Sequence, residues 1–154
     1  MAAWRRGAHG DTAREVRTDE PDLPEVRWVS VDDGTRVAGD LEERAGRYLP
    51  ERHELVMNED WQGFAAVRDK LEAQCVGIEH APLLIRSQAR EWFGQQVQEA
   101  VVGLLAYRNS RHWSPDDLAV ALSEEAITAA AMPKWHAWRE LNKVVAALRE
   151  RPAA

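Results

Sequence analysis

The chain has 154 residues, 45 % of them hydrophobic and 30 % charged, with a formal charge of −6. One domain of this length buries ~68–70 % of its unfolded surface, and the acidic balance argues against nucleic acid or an anionic membrane as the main partner. A single cysteine, Cys75, rules out an internal disulfide, no apolar run approaches the roughly 18 residues of a membrane span, and a reducing, cytoplasmic setting is expected.

Residues 1–25 show no hydrophobic period, are rich in charge and end on Pro21 and Pro24. They are expected to form a flexible leader or linker ahead of a single domain over residues 26–151. Val26 to Val31 then alternates, with Val26, Trp28 and Ser30 facing one way and Arg27, Val29 and Val31 the other. Asp32-Asp33-Gly34 follows as a turn signal before Thr35-Arg36-Val37, so a short antiparallel hairpin is predicted. Asp40 to Tyr48 has the makings of a short helix capped by Asp40, weakened by Gly46 and stopped by Pro50. His53 to Asn58 is expected to be another strand, with Leu55 and Met57 on one face. A helix from Trp61 to Gln74 follows, its apolar stripe being Trp61, Phe64, Ala65, Val67 and Leu71.

The stretch from Leu84 to Arg108 is the strongest helical signal in the chain. Its large apolar residues are Ile85, Trp92, Phe93, Val97, Val101, Leu104 and Leu105, and from Phe93 onward they recur at helical steps of three and four. Arg86, Arg90, Gln95, Gln98 and Glu99 take the other side. A helix of about 25 residues is roughly 37 Å long, as wide as a small domain, so the other elements can lean on it. Ser114-Pro115-Asp116-Asp117 is the clearest helix start, with a capping serine, a proline in the first turn and two acids at the positive end of the helix dipole. Leu118, Leu122 and Ile127 extend that helix to about Ala131. Beyond Met132-Pro133, a last helix carries the narrow stripe Trp135, Trp138, Leu141, Val145 and Leu148. The expected fold is therefore α+β: a small N-terminal antiparallel β element with a mainly α-helical bundle from about residue 61.

No stretch amounts to a catalytic signature. His53-Glu54 begins like the zinc-protease helix motif, but the second histidine is replaced by Met57. Glu54 and Asn58 have the Glu-x-x-x-Asn spacing that gyrase-type ATPases use for magnesium. The Asp-x-Gly-x-Gly loop those enzymes also need is missing, because Asp33-Gly34 lies upstream with Arg36 where the second glycine belongs. The five histidines do not fall at metal-ligand spacing, and Cys75 with His80 lacks two further ligands, so Cys75 reads as a small buried hydrophobe. No cofactor, metal or catalytic set is expected. Trp135 and Trp138, one turn apart, read either as a core anchor or as an aromatic hot spot, for which tryptophan is favoured. Seven tryptophans are many for a core of this size, and the second reading makes Trp135, Trp138 and Leu141 an interface.

Two stretches carry a resemblance. Arg47 to Phe64, RYLPERHELVMNEDWQGF, resembles a segment of actinobacterial proteins with gyrase/histidine-kinase-type (GHKL) ATPase domains, in which a tyrosine precedes a strand ending in Asn-x-Asp-aromatic. Trp113 to His136 resembles the helical tail of the same proteins. Tyr48, Asn58, Asp60, Trp61 and Phe64 match the first pattern. The resemblance implies that the chain corresponds to the region C-terminal to the ATPase domain, without the nucleotide site, and that Asn58 and Asp60 serve as turn and helix-cap residues.

The function expected from all this is a non-catalytic protein-interaction or oligomerisation module, a detached tail of a GHKL-type ATPase or a partner to one. Its partner would be a protein or a second copy of the chain, not nucleic acid or a membrane. The alternative is a small enzyme with a site assembled from the dispersed residues His53, Glu54, Asp60 and His112.

Overall fold

The computed structural model describes residues 22–133 and 139–150. Three short strands and five helices make up this part of the chain, and the class is α+β. The strands are β1 (Glu25–Val29), β2 (Gly46–Leu49) and β3 (Glu54–Asn58), in the spatial order β1-β3-β2. β2 runs antiparallel to β3, with Tyr48 opposite Leu55. β1 runs parallel to β3, with Val26 opposite Leu55 and Trp28 opposite Met57. The sheet is thus mixed, where an antiparallel element was expected.

The predicted hairpin after Val31 does not form, although its turn does. Gly34 adopts a positive φ of 75° and its N–H reaches the Val31 carbonyl at 3.1 Å. The Thr35 hydroxyl then accepts the Ser30 N–H at 2.9 Å, while Arg36 is drawn away to Asp60 at 3.0 Å and to the Asp40 carbonyl at 2.8 Å. The chain leaves β1 instead of returning along it, and the place beside β1 falls to β3.

The helix predicted over Asp40–Tyr48 is also absent. Leu41 and Glu43 have φ of 55° and 57°, which no right-handed helix accommodates. Leu41 is buried against Val29 and Val56 on the outer face of the sheet, with Leu49 at the margin. Gly46 belongs to β2, where a Cβ would stand 2.6 Å from the Val56 carbonyl oxygen, so only glycine permits this approach.

On the other face of the sheet lie α1 (Gln62–Gln74), α2 (Ala81–Leu105), α3 (Pro115–Ala121), α4 (Glu124–Ala131) and α5 (Arg139–Glu150). The predicted stripe of α1 is buried at Phe64, Val67 and Leu71. α2 begins three residues earlier than expected, with Pro82 in its first turn, and buries Ala81, Ile85, Ala89, Phe93, Gly94, Val97 and Val101. Trp28, Phe64, Phe93 and Trp92 form a chain of aromatic contacts with centroid separations of 4.7, 5.6 and 4.8 Å. Gly94 lets α2 close on β1, since a Cβ there would lie 3.2 Å from Val26.

The helix expected from Ser114 to Ala131 is two helices. Ser114 and Asp117 form the anticipated capping box, with the Ser114 N–H donating to Asp117 at 2.9 Å and the Asp117 N–H to the Ser114 hydroxyl at 3.1 Å. Ser123 then opens α4 by accepting the Ala126 N–H at 3.2 Å. Ser123-Glu124-Glu125 repeats the cap-and-acid pattern of Ser114, and reading Leu118 through Ile127 as one stripe passed over it. α4 is tied to β2: the Ala45 N–H donates to Thr128 Oγ1 at 3.0 Å, and Arg47 pairs with Glu124 and with Asp40 at 2.6 Å each. Val145 of α5 is buried in the same core, and Leu148 packs at its edge. Cys75 is buried, as a small apolar residue would be. No described helix is long and apolar enough to cross a membrane.

Candidate interaction surface

The dispersed polar residues weighed for catalysis do not converge. His53 follows the β2–β3 turn with a positive φ of 47°. Its Nε2 donates to the Asp22 carbonyl oxygen, which leaves Nδ1 to accept from the Tyr48 hydroxyl; both distances are 2.8 Å. Burial pushes the Tyr48 phenol above its ordinary pKa. Glu54, one residue on, is held by Arg27 at 2.8 Å. Asp60 lies past the opposite end of β3, about 20 Å away at the rise of a strand. There it accepts the Val31 N–H at 2.8 Å and pairs with Arg36 at 3.0 Å, so it fastens the loop after β1 and does not cap α1. Asn58 is the turn residue expected of it, donating to the Leu41 and Arg44 carbonyls at 2.9 and 3.0 Å and accepting the Asp60 N–H at 3.0 Å. His112 is exposed in the loop between α2 and α3. No group of His, Cys, Asp or Glu suited to a metal ion occurs among the described residues.

The densest polar arrangement centres on Glu59, which sequence reasoning passed over. It directly follows β3 and its side chain is 2 % exposed. Arg86 and Arg90, one turn apart on α2, both donate to its carboxylate, and Arg68 of α1 stands 3.8 Å away. Burial alone would raise the Glu59 carboxyl, but the Arg86 and Arg90 hydrogen bonds and charges outweigh it and hold the pKa below the usual range. The two arginines on the polar side of α2 therefore clamp that helix to the end of the sheet. Their i, i+4 spacing was the signal for a shared partner.

Beside this clamp, β1 and α2 enclose an open groove of about 590 Å³. Leu23, Val26, Trp28 and Gly94 supply its apolar part, and Glu91, Gln95, Gln98 and Glu99 its rim. Arg90, the single cation along it among the described residues, is committed to Glu59 and lies 5.9 Å from the Trp28 ring centroid. Gln98 donates to the Pro24 carbonyl at 2.7 Å and pins the entry to β1. Of the interface read from the sequence, Trp135 and Trp138 lie outside the described residues, and Leu141 falls in the first turn of α5. Comparison with protein-family models, with curated proteins and with solved structures found no match.

Proposed function

We infer that this chain is a non-catalytic protein-interaction module that works in the cytoplasm and takes up a protein, not nucleic acid or a membrane. The observation that carries the reading is the groove between β1 and α2, an apolar floor with a polar rim beside a sheet edge. Exposed concave surfaces of that composition favour a partner. The resemblance of Arg47–Phe64 and Trp113–His136 to segments that follow GHKL-type ATPase domains supports such a domain as the partner, with a second copy of the chain as the other candidate. Trp135, Trp138 and Leu141 belong to the proposal as a second contact surface, on sequence grounds.

Sedimentation velocity tests it, on the chain alone over a concentration series and mixed with a purified GHKL-type ATPase domain from the same organism. A species heavier than either component, or a concentration-dependent dimer, is expected. A monomer under all conditions, with no mixed species, overturns the reading.

A further inference from the structure

We propose that β1 receives an extended, basic segment of a protein partner as a fourth strand, its alternate apolar side chains seated in the β1/α2 groove. The inference rests on the interaction-module reading and deepens it by naming the partner's chemistry.

The parallel register decides which main-chain groups point where. Glu25 donates to the His53 carbonyl at 3.1 Å, and the Val29 carbonyl accepts from Glu59 at 2.9 Å. Glu25, Arg27 and Val29 therefore turn their main-chain groups toward β3, and those of Val26 and Trp28 turn outward. The ends of this outer edge are already satisfied. Gln98 takes the Pro24 carbonyl, and Thr35 and Arg36 take the Ser30 N–H and carbonyl at 2.9 and 3.0 Å. Between them, the N–H and C=O of Val26 and Trp28 have no partner among the described residues and present four hydrogen-bonding groups to one short strand.

The groove lies where that strand would rest. Strands pair about 4.8 Å apart, and α2 carries Glu91, Gln95 and Gln98 past Val26 and Trp28 along this side of the sheet. Every second side chain of an added strand would descend onto Leu23, Val26, Trp28 and Gly94. Along the opposite edge α4 packs beside β2, where Thr128 takes the Ala45 N–H just ahead of the strand and Glu124 pairs with the Arg47 side chain.

Charge selects the sequence of the segment. Glu25, Glu91 and Glu99 are exposed around the site, whereas Arg27 is paired with Glu54 and Arg90 is turned to Glu59, which it shares with Arg86. Basic residues alternating with apolar ones are complementary to this rim, and acidic ones are repelled.

The probe is a fluorescein-labelled peptide, Lys-Val-Lys-Val-Lys-Val-Lys, titrated with the full chain and read by anisotropy. Saturable binding is expected, weakened about tenfold or more by Val26→Pro, which removes an outward N–H and leaves the β3 ladder whole. Glu91→Lys with Glu99→Lys, both on the exposed side of α2, is expected to weaken the basic peptide by a similar factor and to strengthen its glutamate analogue. Of two further analogues, N-methylated on all valines or on all lysines, one loses binding and the other keeps it, because only alternate amides of a strand face its neighbour.

Equal binding of both methylated analogues overturns the proposal, as does indifference to the charge reversal or failure of the basic peptide to bind. A homodimer that Val26→Pro abolishes and the peptide does not compete with makes a second copy the occupant, and also overturns it. If the chain assembles with itself or the ATPase domain regardless of Val26→Pro, the interaction-module reading stands and the strand-addition proposal falls.

Discussion

Glu59 shows how one buried charge couples the sheet to two helices. With its carboxyl pKa held down by Arg86 and Arg90, it contributes stability that is present above the unfolded-state pKa of about 4.3 and declines as pH falls toward the lower folded value. Glu59→Gln is expected to cost about 1–3 kcal/mol at neutral pH, since it leaves two partly exposed guanidiniums without their anion. The difference between variant and wild type should narrow as pH drops below about 4.3. Urea midpoints from pH 3 to 7 check this, and a constant difference would show that Glu59 does not titrate with folding. Gly46 is the complementary steric case. Gly46→Ala brings a Cβ to 2.6 Å from the Val56 carbonyl oxygen and should cost about 1–3 kcal/mol, measured the same way. Neither residue stood out in the sequence: an isolated glutamate after a strand looks like surface, and Gly46 looked like a helix defect. Their roles arise from neighbours 27 and 10 positions away, which periodicity within one element does not register.

At the scale of elements, α2 was legible because it buries one face over most of its length, from Ala81 to Val101. The apolar stripe holds at Ile85, Phe93, Val97 and Val101, while Leu104 is only half-buried as the helix leaves the core. Phe93→Ala should therefore cost about 3–5 kcal/mol and Leu104→Ala distinctly less, by denaturant titration; equal losses would contradict this burial gradient. The caps were legible for a different reason: Ser114 satisfies its helix from within four residues. Ser114→Ala is expected to cost about 1 kcal/mol, and an unchanged midpoint would remove the capping box from the account. The β element was legible only in part. Alternation marked β1 and β3 as strands, and Leu55 and Met57 do face the main core. Partner and direction were not, because a turn signal such as Asp33-Gly34 says how the chain bends and nothing about which strand fills the place beside β1. The groove was hidden for the same reason, since Val26 and Gly94 meet only once the sheet order exists.

The molecule as a whole has one sheet edge flanked by α4 and one, along β1, that borders the groove. That asymmetry makes a prediction about the unliganded chain that needs no partner. Because β1 is parallel to β3, its amides alternate between the ladder and the outer edge. Arg27 and Val29 are on the ladder side by the register that joins Glu25 to His53 and Glu59 to Val29. Val26 and Trp28 are on the outer side, even though their side chains pack against the core. Amide hydrogen exchange follows the hydrogen bond and its opening, not the burial of the side chain alone. Residue-resolved exchange by NMR should accordingly show Arg27 and Val29 protected by about tenfold or more over Val26 and Trp28, within a single five-residue strand. Binding of the basic peptide should then slow Val26 and Trp28 while leaving Arg27 and Val29 nearly unchanged. Equal protection of all four amides in the free chain would mean that something already pairs with the outer edge of β1.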